Sequence, residues 1–207
     1  MEVRTASSGD AVLQTLKLVA ATSAISKPSA FLTALDLHVP VSNPQTALQR
    51  PVIVFDIDDT LITDEDPSPR PIAETLALFF RLHELGARIW LVTARHPSIK
   101  DETYKELKQV GILRKHLQGD IFFAPEKYRK SMVSVSKWKK RMRATIAQKE
   151  GAPVMLTVGD QWSDLMEVQG MSEFQELDDA YGVANTPYVL FLVDDGLSIY
   201  GLKLLSK

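Results

Sequence analysis

An α/β fold, with a parallel sheet covered by helices on both faces, is what these 207 residues predict, and two observations carry it. Short, near-continuous apolar runs alternate with stretches of helical period, as expected of strands buried on both faces and joined by right-handed crossovers. Three of the runs also end in polar clusters, and open sheets of this kind bind ligands beyond the carboxyl ends of their strands. The 45% apolar content is ample for a core, and the length fits one domain with an appendage.

Residues 1–49 form the predicted appendage, an N-terminal helical extension. Val12, Leu13, Leu16, Val19 and Ala20 share a helical stripe behind a capping Asp10, and a second apolar stretch covers residues 31–37. Pro40, Asn43 and Pro44 break the chain before the main domain, 50–207. Val52, Ile53, Val54 and Phe55 read as a first buried strand running into Asp56, Asp58 and Asp59. A proline-rich loop follows, then a helix opened by Pro71, with Ile72, Leu76, Phe79, Phe80 and His83 on one face and Gly86 as its stop. Residues 88–93 form a second strand ending in Thr93-Ala94-Arg95-His96, and a helix from Ser98 closes at Gly111. Residues 120–124 read as a third strand and 131–149 as a long basic helix. Residues 154–158 make a fourth strand, entering Gly159-Asp160-Gln161-Trp162-Ser163-Asp164, and 188–193 a fifth.

Composition removes several classes of function. A net charge of -2 provides no basic field, which argues against nucleic acid or an anionic membrane as partner. The basic stretch around Lys127, Arg129, Lys130 and Lys137 reads as a solvated helix face, because no aromatic interleaving accompanies it. The absence of cysteine excludes disulfides and thiolate chemistry, so any metal must be held by oxygen or imidazole. No run reaches the roughly 18 to 20 apolar residues of a membrane span, and the N-terminal stretch, interrupted by Gln14 and Lys17, lacks a signal-peptide core. A cytoplasmic location is expected.

The three polar turns suit phosphate chemistry. Carboxylates as close as Asp56 and Asp58 repel unless a cation neutralises them, and with Asp160 and Asp164 they offer a hard-oxygen site of the kind Mg²⁺ uses while it accepts a phosphate oxygen. Thr93 and a lysine can take the remaining phosphoryl oxygens. A carboxylate in line with phosphorus can then act as nucleophile.

Asp56-Ile57-Asp58-Asp59-Thr60, Thr93-Ala94-Arg95 and Gly159-Asp160-Gln161-Trp162-Ser163-Asp164, in that order, resemble motifs I, II and IV of the haloacid dehalogenase-like (HAD) hydrolase superfamily. The wording is most similar to its acid phosphatase branch, which includes plant acid phosphatases and vegetative storage proteins. The resemblance covers about residues 50–195. It implies a three-layer Rossmann-like sheet and a Mg²⁺-dependent phosphatase that hydrolyses a phosphomonoester through an aspartyl-phosphate. Asp56 would be the nucleophile and Asp58 the general acid and base. The carboxylates of Asp56 and Asp160 and the main-chain carbonyl of Asp58 would hold Mg²⁺, with Asp164 beside them. Thr93 and Ala94 would meet the phosphate, and Arg95 and His96 are candidate substrate contacts. Asp59 is expected only to shape the turn.

The lysine of the family's third motif is open among Lys130, Lys137, Lys139 and Lys140. The wording Lys137-Trp138-Lys139-Lys140-Arg141 favours Lys137, whereas the apolar stripe of Val135, Trp138, Met142 and Ile146 lies closer to Lys139. Neither gap between the motifs has room for a cap domain, so the site is expected to be open. That suits a large phosphorylated substrate, or a small one covered by a second copy in a homo-oligomer. Two alternatives stand beside hydrolysis: a non-catalytic storage or binding relative of the fold, and a phosphotransferase using the same intermediate.

Overall fold

The computed structural model describes residues 2–6, 50, 52–64, 69–84, 86–152, 154–165, 167–173, 175–176, 188–193 and 198–204. The helices expected within residues 10–20 and 31–37 lie outside that set.

The first apolar run forms a strand, β2 (Val52–Phe55), every residue of which is buried. It pairs in parallel with β3 (Arg88–Thr93) on one side and with β5 (Val154–Gly159) on the other. Phe122–Phe123, β4, extends the parallel set beyond β3. It is shorter than the 120–124 run predicts. The three strands with chemically equipped ends are therefore immediate neighbours, with β2 in the middle.

Alternation along β2 and β3 divides the core into two layers. Ile53, Phe55, Ile89 and Leu91 face one side, with Leu78, Phe79 and Leu82 of α1 (Ala73–Glu84) and Leu107 of α2 (Lys100–Gln109). Val52, Val54, Trp90 and Val92 face the other, with Trp138, Met142 and Ile146 of α3 (Met132–Glu150). Each such side chain removed from water contributes about 1.5–3 kcal/mol, which fixes helices and strands relative to one another. Ser131 caps the start of α3 by accepting from Ser134 N at 3.2 Å, and Gly151, at φ 61°, ends it in the left-handed region. At the far end of the sheet from the polar turns, Glu150 receives Arg88 Nη1 and Trp90 Nε1, both at 2.7 Å. This ties the C-terminus of α3 to β3.

The sheet is larger than the sequence suggests. Its order is β1-β7-β6-β5-β2-β3-β4, with β1 (Glu2–Ala6), β6 (Tyr188–Val193) and β7 (Ser198–Leu204) on the β5 side. β6 runs antiparallel to β5 and β7, so the parallel direction expected for this fifth run is corrected. Residues 194–197 join β6 to β7, a connection too short for anything but an antiparallel pair. β1 pairs in parallel with β7, placing the start of the N-terminal segment in the sheet.

Candidate active site

Asp56 leaves the end of β2 with its N–H still on the β5 ladder, bonded to Val158 O at 2.9 Å. The chain then turns: Leu61 N and Ile62 N bond back to Ile57 O, and Asp59 takes the left-handed conformation, φ 49°. Asp59 Oδ1 accepts from Asp64 N at 3.0 Å, so this carboxylate shapes the turn, as the sequence implies. The turn sends the two remaining acids to different neighbours. Asp56 is buried toward α3, whereas Asp58 stands half-buried toward α2.

At the end of β5, Asp160 and Asp164 come to meet Asp56. Asp164 folds back beneath its own turn, its carboxylate accepting from Gln161 N at 3.0 Å. This close approach requires Gly159, where a Cβ would lie 2.2 Å from that of Asp164. Gln161 Nε2 donates to Asp160 at 2.9 Å, and Arg143 donates to the main-chain carbonyl of Asp164. One oxygen from each of Asp56, Asp160 and Asp164 fits within a 4.8 Å span, and all three residues are buried.

Into this group α3 delivers Lys139, which is only 3% exposed. Its Nζ lies 3.0 Å from Asp56 Oδ1 and also pairs with Asp164. The pairing with Asp56 is electrostatic, because that oxygen receives no well-directed hydrogen bond. Burial works against the Lys139 ammonium, yet Asp164 and Asp56 hold its pKa above the ordinary lysine range. The acids show the opposite strain. Burial and then Asp164 push Asp56 well above the ordinary carboxylate range, with Lys139 pulling it back. Burial and Asp164 likewise raise Asp160 to about 7.

Three buried carboxylates facing one ammonium form a donor set that fits a hard divalent cation. Such an ion would supply the missing positive charge and bring both raised pKa values down. The side chain of Asp58 is not part of this set. Its carboxylate is gripped by Arg95, with Nε 2.9 and 3.0 Å from its two oxygens and Nη2 2.6 Å from Oδ1.

Of the other predicted residues, Thr93 is fully buried and its Oγ1 accepts from Arg95 N at 3.1 Å. The carbonyl of Ala94 accepts from Arg129 Nε at 3.0 Å. His96 caps the following turn, its Nδ1 accepting from Ser98 N. Trp162, within the motif IV wording, is buried. Lys137 is exposed, and Lys130 and Lys140 are exposed too, so the lysine brought to the acids is Lys139. Ser136, Lys139 and Met142 share the buried side of α3, whereas Lys137 is rotated about 100° per residue away from its neighbours on that side. Arg129, Arg143 and the Arg95 partners Thr103 and Glu106 were not legible as site residues, and Gly159 stood in the motif IV wording without a stated role. Beside Asp58 a cavity of about 440 Å³ opens between Ala94, Arg95, Asp64 and Glu106.

The model of HAD superfamily, subfamily IIIB (acid phosphatase), matches residues 64–184. The chain belongs to this family. The matched span takes in motif II, the lysine helix and motif IV, and begins just past the acidic turn of motif I. Vegetative storage protein 1 of Arabidopsis thaliana is 28% identical over 56% of this chain, which spans about half (49%) of that relative. Two structures of the class C acid phosphatase from Bacillus anthracis share the subfamily IIIB chain's fold. One gives a TM-score of 0.50 at 16% identity, and the tungstate-bound one 0.53 at 18%, each over 84% of this chain and 70% of the other. The HAD-like α/β fold expected from the motifs is thus the fold observed.

Proposed function

We propose that the protein is a metal-dependent phosphomonoester hydrolase in which Asp56 is the nucleophile. The observation that supports this best is the buried Asp56 carboxylate, set against Lys139 and within reach of Asp160 and Asp164. Burial alone would keep Asp56 protonated and inert. Lys139 opposes that, and Mg²⁺ held by Asp56, Asp160, Asp164 and the Asp58 carbonyl would oppose it further while drawing charge from a phosphoryl oxygen.

The residues divide the work as follows. Asp56 attacks phosphorus, forming a carboxyl–phosphate bond as the bond to the substrate alcohol breaks. The bonding pair goes to the alcohol oxygen, which takes a proton from Asp58 at the mouth of the cavity. Water then attacks the phosphorus, giving its proton to Asp58, and Asp56 departs as the carboxylate with release of inorganic phosphate. Lys139, Thr93 and the Ala94 backbone bind the phosphoryl oxygens, so the lysine role passes from Lys137 to Lys139.

The substrate is a phosphorylated molecule whose leaving group occupies the open cavity, and the protein acts in the cytoplasm, alone or as a homo-oligomer. Hydrolysis of a generic aryl phosphate, with and without Mg²⁺ and beside Asp56→Asn, tests the reading. Activity that survived both chelation and the substitution would defeat it. The vegetative storage relative supports a second reading, a non-catalytic protein, which requires no turnover on any panel of phosphoesters. Transfer to an added alcohol in place of water would make the protein a phosphotransferase.

A further inference from the structure

Arg95 has one guanidinium edge on Asp58 and the other on α2. Its Nη1 bonds Thr103 Oγ1 at 3.0 Å and pairs with Glu106, while Nε and Nη2 hold Asp58. Thr103 is fully buried, and its hydroxyl donates to Ile99 O at 2.9 Å, which leaves an oxygen lone pair fixed toward the guanidinium. Leu107, the next residue after Glu106, is anchored in the core, so this face of α2 is rigid. Asp58, Arg95 and Glu106 all line the same cavity.

We propose that Glu106 is a positioning residue: by holding Arg95 it keeps the Asp58 carboxylate aimed at the departing oxygen of the substrate. A planar guanidinium bonded along both edges has little freedom to rotate, and a carboxylate held by its Nε and Nη2 inherits that restriction. Without Glu106 the outer edge of Arg95 loses its charged partner. The guanidinium can then swing, and Asp58 with it. The plainer alternative is a clip that merely ties α2 to the turn after β2. The two differ in which substrates suffer, because only a leaving group that needs a proton depends on the aim of Asp58. The inference rests on the phosphatase reading above.

The test compares kcat/KM for an alkyl phosphate, whose leaving group needs a proton, with 2,4-dinitrophenyl phosphate, whose leaving group does not. General acid catalysis contributes about 10²–10⁴-fold, so losing part of its alignment in Glu106→Ala should cost about 10-fold or more on the alkyl ester and less than about threefold on the dinitrophenyl ester. Glu106→Gln, which can still accept from Arg95, should restore most of the alkyl activity. Because the readout is a ratio of two substrates on one preparation, partial unfolding does not alter it. Equal losses on both esters, or no loss on either, would overturn the role of Glu106. An active wild type with an inactive Asp56→Asn leaves the phosphatase reading standing in that event, whereas an inactive wild type or an active Asp56→Asn removes both.

Discussion

Replacing Lys139 by methionine keeps most of the side-chain volume and removes its charge. Asp56, Asp160 and Asp164 are then left buried with no ammonium among them, since Lys139 Nζ is the group 3.0 Å from Asp56 and paired to Asp164. Breaking a buried pair by deleting one partner costs about 3–5 kcal/mol. The acids can relieve part of this by taking up protons at about 1.4 kcal/mol per pH unit, so the low end of that range is expected near pH 6. The same proton uptake disables the nucleophile. Lys139 is the cation that pulls the Asp56 pKa down, and its loss leaves burial and Asp164 unopposed. Removing a fixed positive charge aimed at the transferring group should cost a further ~10²–10³-fold in rate. Urea midpoints and kcat/KM on an aryl phosphate at saturating Mg²⁺ measure both effects. Lys137→Ala, on the exposed side of α3, should change stability by no more than about 0.5 kcal/mol and leave turnover near wild type. An active Lys139→Met beside an inactive Lys137→Ala would rule out Lys139 as the lysine that serves the site.

Other substitutions and conditions give further checks. Asp160 is raised from 3.8 to about 7, so the stability its protonation contributes is fully present below about pH 3.8 and lost as pH rises through about 7. The melting temperature of the metal-free protein should therefore fall between pH 5 and 8, in scans where Mg²⁺ raises it more at pH 8 than at pH 5. A Mg²⁺ effect that is absent at pH 8 would count against the metal site. Gly159→Ala places a methyl 2.2 Å from Asp164 Cβ, and displacing that turn should cost about 1–3 kcal/mol in denaturant titrations along with most of the activity. Asp59→Asn should keep activity within a few-fold, because asparagine tolerates φ 49°. Asp59→Val should lose about 1–2 kcal/mol to backbone strain.

The site was legible in the sequence where local pattern and chemistry coincide. β2 and β5 are apolar runs that stop in aspartates, so Asp56 and Asp160 could be read as strand-end acids from the sequence alone, whereas the pairing of β2 beside β5, which brings them together, comes from the fold. Lys139 was half legible: motif wording pointed to Lys137, while the phase of the α3 stripe pointed to the lysine that the fold buries. The direction of β6 was not, because an apolar run carries no polarity. β7 escaped notice because Gly201 and Lys203 interrupt its apolar residues. The grip of Glu106 on Arg95 depends on how α2 packs against the β2 turn, and nothing in the spacing of the two residues encodes that contact.

The most direct test of Asp56 as nucleophile is a rapid acid quench of the enzyme during turnover of a ³²P-labelled phosphomonoester, followed by peptide mapping. The label should appear on the peptide containing Asp56 and be absent from Asp56→Asn. Full turnover with no labelled protein, or with the label on another residue, would contradict the account.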